Sequence, residues 1–284
     1  MVVESGLVLV GGAPTVKPAR LVGVDEPLEV IGPPPPFVSR GGLKLSAAIS
    51  SFGVKVAGRR ALDAGASTGG FTDCLLQRGA LHVVAVDVGR AQLHPRLVAD
   101  PRVTMIEGCN VRDLGHALSD PLAGERFSLI VADLSFISLA AVVPALAGRL
   151  CKPGADLVLL VKPQFEASRR EASRGRGVIR DPRIWHQALV KVASALLAEG
   201  ADIMGAMVSP LKGAAGNTEF FIHARSYSRT PSVAHNQVPA AVLSMFTALV
   251  RTEEPVTKAS AGDDLPPFQG HFFNSLPPAS QGEQ

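Results

Sequence analysis

The 284-residue chain is poor in several residue types: it has one Trp, one Tyr and three Cys, and its uninterrupted apolar runs are short. Each shortage excludes something. Cys74, Cys109 and Cys151 are odd in number, far apart and outside any Cys-x-x-Cys pair, so neither a disulfide framework nor a structural zinc site is expected. The runs at 128–132 and 157–161 have the length of strands, far below the roughly 18 apolar residues a spanning helix requires. The opening Met1-Val-Val-Glu-Ser-Gly lacks a basic leader followed by a long apolar stretch, so it does not read as a signal peptide. The expectation is a cytoplasmic protein without a metal and without a membrane partner. A net charge of +3 permits an anionic partner without demanding one.

What is present is apolar mass and alternation. Hydrophobic residues make up 46% of the chain, enough for one α/β core with room for a small second module. Residues 7–10 and 28–31 read as short β runs between Gly-Gly and Pro-rich turns. Four prolines at 33–36 then form a stiff spacer that no helix enters. The expected division is a small β module over 1–32, a linker over 33–42, a catalytic domain over 43–250 and a disordered tail over 251–284.

After the spacer, 42–52 reads as an amphipathic helix. Strand-like runs at 61–63, 82–87, 103–106, 128–133 and 156–162 alternate with helical stretches at 71–78, 139–150 and 183–198. This is the rhythm of a doubly wound, Rossmann-like fold, and 203–208 and 219–224 would complete a mostly parallel seven-stranded sheet.

Two kinds of feature point to chemistry. The first is Leu62-Asp-Ala-Gly-Ala-Ser-Thr-Gly-Gly-Phe71, a glycine-rich turn directly after a strand and before a helix. Glycines there allow close approach of backbone to ligand, and the helix start offers unpaired N–H groups. The next strand ends in Asp87, suited to accept from two ribose hydroxyls. A tight turn can carry glycines for structural reasons alone, and a dinucleotide site is the sharper rival. That rival expects Gly-x-Gly-x-x-Gly, whereas the acidic Asp63 here suits an amino-acid ammonium and would repel a pyrophosphate. The pattern tilts towards S-adenosylmethionine.

The second feature is a set of charges at element ends. Asp133 and Lys162 terminate apolar strands, Glu219 begins the last strand, and Lys44 lies beside the linker. Each has a plain explanation as a snorkelling or surface charge, but opposite charges ending two apolar strands belong together at the ligand-binding edge of a sheet. Methyl transfer to a sugar hydroxyl needs a base, and a lysine serves only when neutral, a state favoured by desolvation and a second ammonium nearby. Lys162 is read as the base, Asp133 as its orienter, and Lys44 and Glu219 as positioning partners.

The segments Val38-Ser-Arg-Gly-Gly-Leu-Lys-Leu45, Leu62 to Asp73, Val131-Ala-Asp-Leu-Ser-Phe-Ile-Ser-Leu139, Leu160-Val-Lys-Pro-Gln-Phe-Glu166, Gly177-Val-Ile-Arg-Asp181 and Gly216-Asn-Thr-Glu-Phe-Phe221 closely resemble the TlyA (hemolysin-A-like) family, a branch of the FtsJ-type ribose methyltransferases. The resemblance implies a catalytic tetrad at Lys44, Asp133, Lys162 and Glu219, and 2′-O-methylation of cytidine in 16S ribosomal RNA, 23S ribosomal RNA or both. It implies a cofactor site formed by Asp63, Gly65, Ser67, Thr68, Gly69, Gly70, Phe71 and Asp87, with Asn110 near the adenine. Members of the family open with a small RNA-binding module of helices followed by strands. Residues 6–12 resemble only its β half, so the expectation is a start placed too far downstream or a truncated form. For RNA contact there remain Arg40 and a basic stretch with Arg169, Arg170, Arg174, Arg176 and Arg180, read as a mobile loop suited to phosphates. No aromatic stacking platform is evident, so recognition by RNA shape and splayed bases in a ribosomal particle is expected. The rival readings are a catalytically silent RNA-binding protein of the same fold and a cytolysin acting on membranes.

Overall fold

The computed structural model describes Val3 and residues 6–32, 35–114, 126–227 and 237–253. It divides into two compact units, at residues 1–36 and from 37 onward. In the first, β1 (Val8–Val10), β2 (Ala13–Thr15) and β3 (Leu28–Val30) form an antiparallel sheet in the order β2-β1-β3. Val10 pairs with Ala13 across a two-residue turn whose Gly11 and Gly12 have φ of 58° and 80°. Such left-handed pairs match the twist of a hairpin and favour glycine.

The second unit begins with α1 (Arg40–Phe52), so the helix starts two residues earlier than its apolar pattern suggests and takes in the end of the expected linker. Then follow β4 (Arg60–Ala64), α2 (Gly70–Gln77), β5 (His82–Asp87), α3 (Pro95–Val98), β6 (Val103–Glu107) and β7 (Phe127–Ala132). After β7 come a 3-10 turn at Leu139–Ala141 and a π-helical turn at Pro144–Arg149. The single α-helix expected over 139–150 does not form. Pro144 has no N–H to return to the preceding turn and its ring crowds that turn, so the helical geometry breaks there. β8 (Cys151–Val161), α4 (Pro163–Glu166), α5 (Arg169–Arg174), α6 (Pro182–Ala198), β9 (Ala201–Val208), β10 (Phe220–Ser226) and α7 (Ala240–Arg251) complete the described chain. Most of the tail expected to be disordered, residues 254–284, lies outside the described residues.

The seven strands run β6-β5-β4-β7-β8-β10-β9, with β10 antiparallel to both neighbours and β4 to β8 parallel. Side chains alternate between the faces as a pleated strand requires. Leu62, Val84, Ile130, Leu157 and Leu159 join the core under α6 and α7, whereas Ala61, Val83, Leu129, Val158 and Leu160 join the core under α1 and α2. The order of connection reverses between β4 and β7. Ligands in open α/β sheets bind beyond the carboxyl ends of strands at such a point.

Candidate active site

Two adjoining cavities open at this reversal. One, of about 770 Å³, is lined by Asp87, Gln92, Asn110 and the loop after β7. The other, of about 320 Å³, is lined by Lys44, Asp133, Lys162 and the turn after β4. Gly65, Ser67, Asp133 and Ser135 belong to the walls of both.

The turn is shaped by packing as much as by any ligand. A Cβ on Gly65 would lie 2.5 Å from the Asp133 carbonyl oxygen, and one on Gly70 would lie 2.2 Å from Ser39 Oγ and 2.8 Å from the Gly42 nitrogen. These glycines therefore let the strand end, α1 and α2 close on one another, a role the sequence pattern assigned to ligand approach. Ser67 stands at φ 47° and donates its N–H to Asp87 Oδ2 at 2.8 Å, while Gly89 N–H donates to Oδ1 at 2.7 Å. Each carboxylate oxygen keeps a second lone pair, so Asp87 can still accept from two hydroxyls. Asn110 lines the same cavity and accepts from the Arg112 N–H at 3.1 Å.

Not every expected cofactor residue lies on that wall. Thr68, Gly70 and Phe71 border the smaller cavity, and Asp63 and Gly69 line neither. Asp63 is fully buried; Oδ2 accepts from Thr72 Oγ1 at 2.6 Å, and Oδ1 has no hydrogen-bond partner. Burial pushes its pKa up to about 7 against the Thr72 hydrogen bond, with the charges of Asp133 and Asp87 pushing the same way as burial. In this conformation Asp63 reaches neither cavity.

The four charges are brought together as two ion pairs. Lys162 Nζ lies 2.5 Å from Asp133 Oδ1 and donates to Ser135 Oγ at 3.0 Å. Lys44 Nζ lies 2.5 Å from Glu219 Oε2, and both of these residues are buried. Asp133 and Lys162 stand one residue beyond β7 and β8, and Glu219 one residue before β10. A Cβ on Gly213 would meet Glu219 Oε1 at 2.4 Å, so the loop before Glu219 folds tightly over it.

Sequence reasoning missed part of the site. Lys212 is exposed, lines the smaller cavity, and accepts from Arg40 through its carbonyl oxygen at 2.8 Å. Phe136 is 92% exposed at the larger cavity with a left-handed φ of 63°. An aromatic face is therefore present, contrary to expectation. The only sequence signal was an apolar residue three positions after a strand-terminal acid, which pattern alone assigns to the core.

The basic stretch also differs from expectation. Arg169–Arg174 is helix α5, capped by Ser168 and Glu171 in a reciprocal capping box, rather than an unstructured loop. Ser-x-x-Glu is a helix-start pattern that the density of arginines masked. Arg170, Arg176 and Arg180 are exposed, and the side chains of Arg169 and Arg174 lie outside the described residues.

A model of the FtsJ-like methyltransferase family matches residues 37–226. The chain belongs to the FtsJ-like methyltransferase family. It is 46% identical over 225 residues to the 16S/23S rRNA (cytidine-2'-O)-methyltransferase TlyA of Mycobacterium tuberculosis, covering 79% of this chain and 82% of that one. It is 39% identical over 222 residues to Hemolysin A of Brachyspira hyodysenteriae, covering 78% and 90%. A solved structure from Streptococcus thermophilus, of a chain assigned as a hemolysin, superposes with a TM-score of 0.71 at 37% identity and covers 88% of each chain. As a member of the FtsJ-like family, this protein is an S-adenosylmethionine-dependent methyltransferase. Among the described residues no helix is long and apolar enough to cross a membrane.

Proposed function

We propose that the protein methylates the ribose 2′-hydroxyl of a cytidine in ribosomal RNA, with Lys162 as general base. The observation that carries this reading is the Asp133–Lys162 ion pair, which lies where the two cavities share a wall. S-adenosylmethionine, when bound, supplies an electrophilic methyl group on a sulfonium. The larger cavity suits it in size and in donor set, with Asp87 for the ribose hydroxyls and Asn110 beside the adenine.

A ribose hydroxyl is a weak nucleophile and must lose its proton as the new bond forms. Lys162 Nζ, acting from its neutral form, takes that proton. Asp133 at 2.5 Å holds the amine in place and offsets the ammonium charge as it develops. Lys44, fixed by Glu219, presents a second ammonium in the smaller cavity and orients the incoming hydroxyl. The exposed Phe136 ring suits a base turned out of its stack. Arg40, Lys212 and the exposed Arg170, Arg176 and Arg180 suit the RNA backbone of a ribosomal particle. Arg169 and Arg174 belong to the same basic stretch of sequence, and the N-terminal three-stranded unit is read as the β half of an RNA-binding module. The activity of the TlyA relative supports cytidine and ribosomal RNA as the substrate.

Lys162→Ala should lower the methyl-transfer rate roughly 10²- to 10⁴-fold, the usual range for loss of a general base. A ribose-methylation map of ribosomal RNA from cells carrying wild-type or Lys162→Ala protein at equal levels checks this. The target cytidine or cytidines should lose their methyl groups in the variant. Retention of every ribose methyl would refute the reading and favour a catalytically silent RNA-binding protein.

A further inference from the structure

The loop from Asp133 to Ser138 supplies groups to both cavities, yet its far end is held by a residue that lines neither. Glu166, at the end of α4, is buried; its Oε2 accepts from Ser138 Oγ at 2.6 Å and its Oε1 from the Leu139 N–H at 2.5 Å. Leu139 opens the 3-10 turn that follows the loop, so Glu166 satisfies an N–H that a helix start leaves unpaired. Lys191 on α6 supports the carboxylate from behind, at 3.1 Å from Oε2, and donates to the Glu166 carbonyl oxygen at 3.0 Å.

The same short helix grips the loop at two further points. Phe165 packs against Phe136 with ring centroids 5.3 Å apart, and Lys162, immediately before α4, donates to Ser135 Oγ. Phe136 keeps a left-handed φ of 63°, a conformation that costs an aromatic residue energy and persists only where neighbours impose it.

We infer that Glu166 is a positioning residue for methyl transfer, clamping the Asp133–Ser138 loop so that Ser135 stays on Lys162 and Phe136 stays at the rim. This rests on the methyl-transfer reading above for its kinetic consequence, but not for the clamp itself. Glu166→Gln removes an acceptor and the charge that Ser138, Leu139 and Lys191 share. Ser138→Ala removes one loop bond only. Lys191→Met removes the ion pair and leaves both loop bonds.

The experiment uses the full chain and reads four quantities: kcat and KM on ribosomal RNA, the S-adenosylmethionine dissociation constant, and amide hydrogen exchange at 134–139 in ligand-free protein. Glu166→Gln should lower kcat roughly tenfold to a hundredfold, as small misplacements of reacting groups do, with faster exchange at 134–139. Its effect on cofactor affinity should be smaller, because the Asp87 and Asn110 side of the cavity is untouched. Ser138→Ala should act in the same direction more weakly, and Lys191→Met should keep kcat within about threefold, as loss of a partly exposed ion pair does. Wild-type kcat and exchange in Glu166→Gln would overturn the inference, as would Lys191→Met reproducing it in full, since the carboxylate would then serve only the ion pair. If Glu166→Gln fails to fold, Ser138→Ala decides: faster loop exchange with reduced kcat upholds the clamp, and wild-type values overturn it. Absence of methyl transfer by the wild type would instead fail the functional reading, leaving the exchange pattern to judge the clamp.

Discussion

Asp63 binds a proton more tightly in the folded protein than in the unfolded chain, because burial raises its pKa to about 7. A carboxyl raised in this way contributes stability that is fully present below its unfolded value near 4 and is lost as the pH rises through 7. Asp63→Asn should therefore flatten the pH dependence: Tm of the wild type should fall relative to the variant between pH 5 and 8, as thermal melts across that range would read. An unchanged difference across the range would mean that Asp63 is ionised throughout. At this scale the site was partly legible in the chain. Asp133 and Lys162 were legible because an isolated charge ending an apolar run is conspicuous. The Lys44–Glu219 pair was not derivable from spacing, because its members stand 175 positions apart, and only the family likeness joined them.

The contact of α1 with α2 holds the helix that carries Lys44, and that contact depends on residues without side chains. Gly70→Ala would drive a methyl group into Ser39 Oγ and the Gly42 backbone, so the variant should lose about 1–3 kcal/mol of stability, the usual cost of overpacking. Urea denaturation measures that, and the methyl-transfer rate should fall with it because α1 carries Lys44 and Arg40. At the opposite end of the sheet, Asp156 on β8 accepts from His223 and Arg225 on β10 and from Arg59 before β4. Burial alone would raise its pKa, but the hydrogen bonds from His223, Arg59 and Arg225 hold it well below the usual carboxylate range. Asp156→Asn weakens the acceptor these three donors share and should cost roughly 1–3 kcal/mol, the range for buried hydrogen bonds left unmade, again read by urea denaturation. α7 went unread, although Val242, Met245, Phe246 and Leu249 stand at helical spacing, while most strands were legible from their apolar runs. The broken helix after β7 and the capped helix α5 were not, because proline at one and a crowd of arginines at the other hid the controlling local pattern.

The two units draw on separate resources. Both core clusters are built from residues beyond Pro36, so a chain lacking residues 1–36 should fold and bind S-adenosylmethionine with unchanged affinity. Its affinity for ribosomal RNA should fall, and calorimetry with cofactor beside filter binding with RNA would separate the two effects. Equal loss in both would mean that the N-terminal unit supports the catalytic fold. The amino-acid sequence by itself determined the alternation of strands and helices, the glycine turn before α2 and the charges that end β7 and β8, because these follow from neighbours along the chain. Only the tertiary structure decided that Lys44 meets Glu219, that Asp63 is sealed beneath the turn instead of lining a cavity, that Phe136 faces outward, and that Glu166 holds its loop. Those depend on which strand ends converge at the reversal between β4 and β7, a matter of three-dimensional packing that local pattern does not encode.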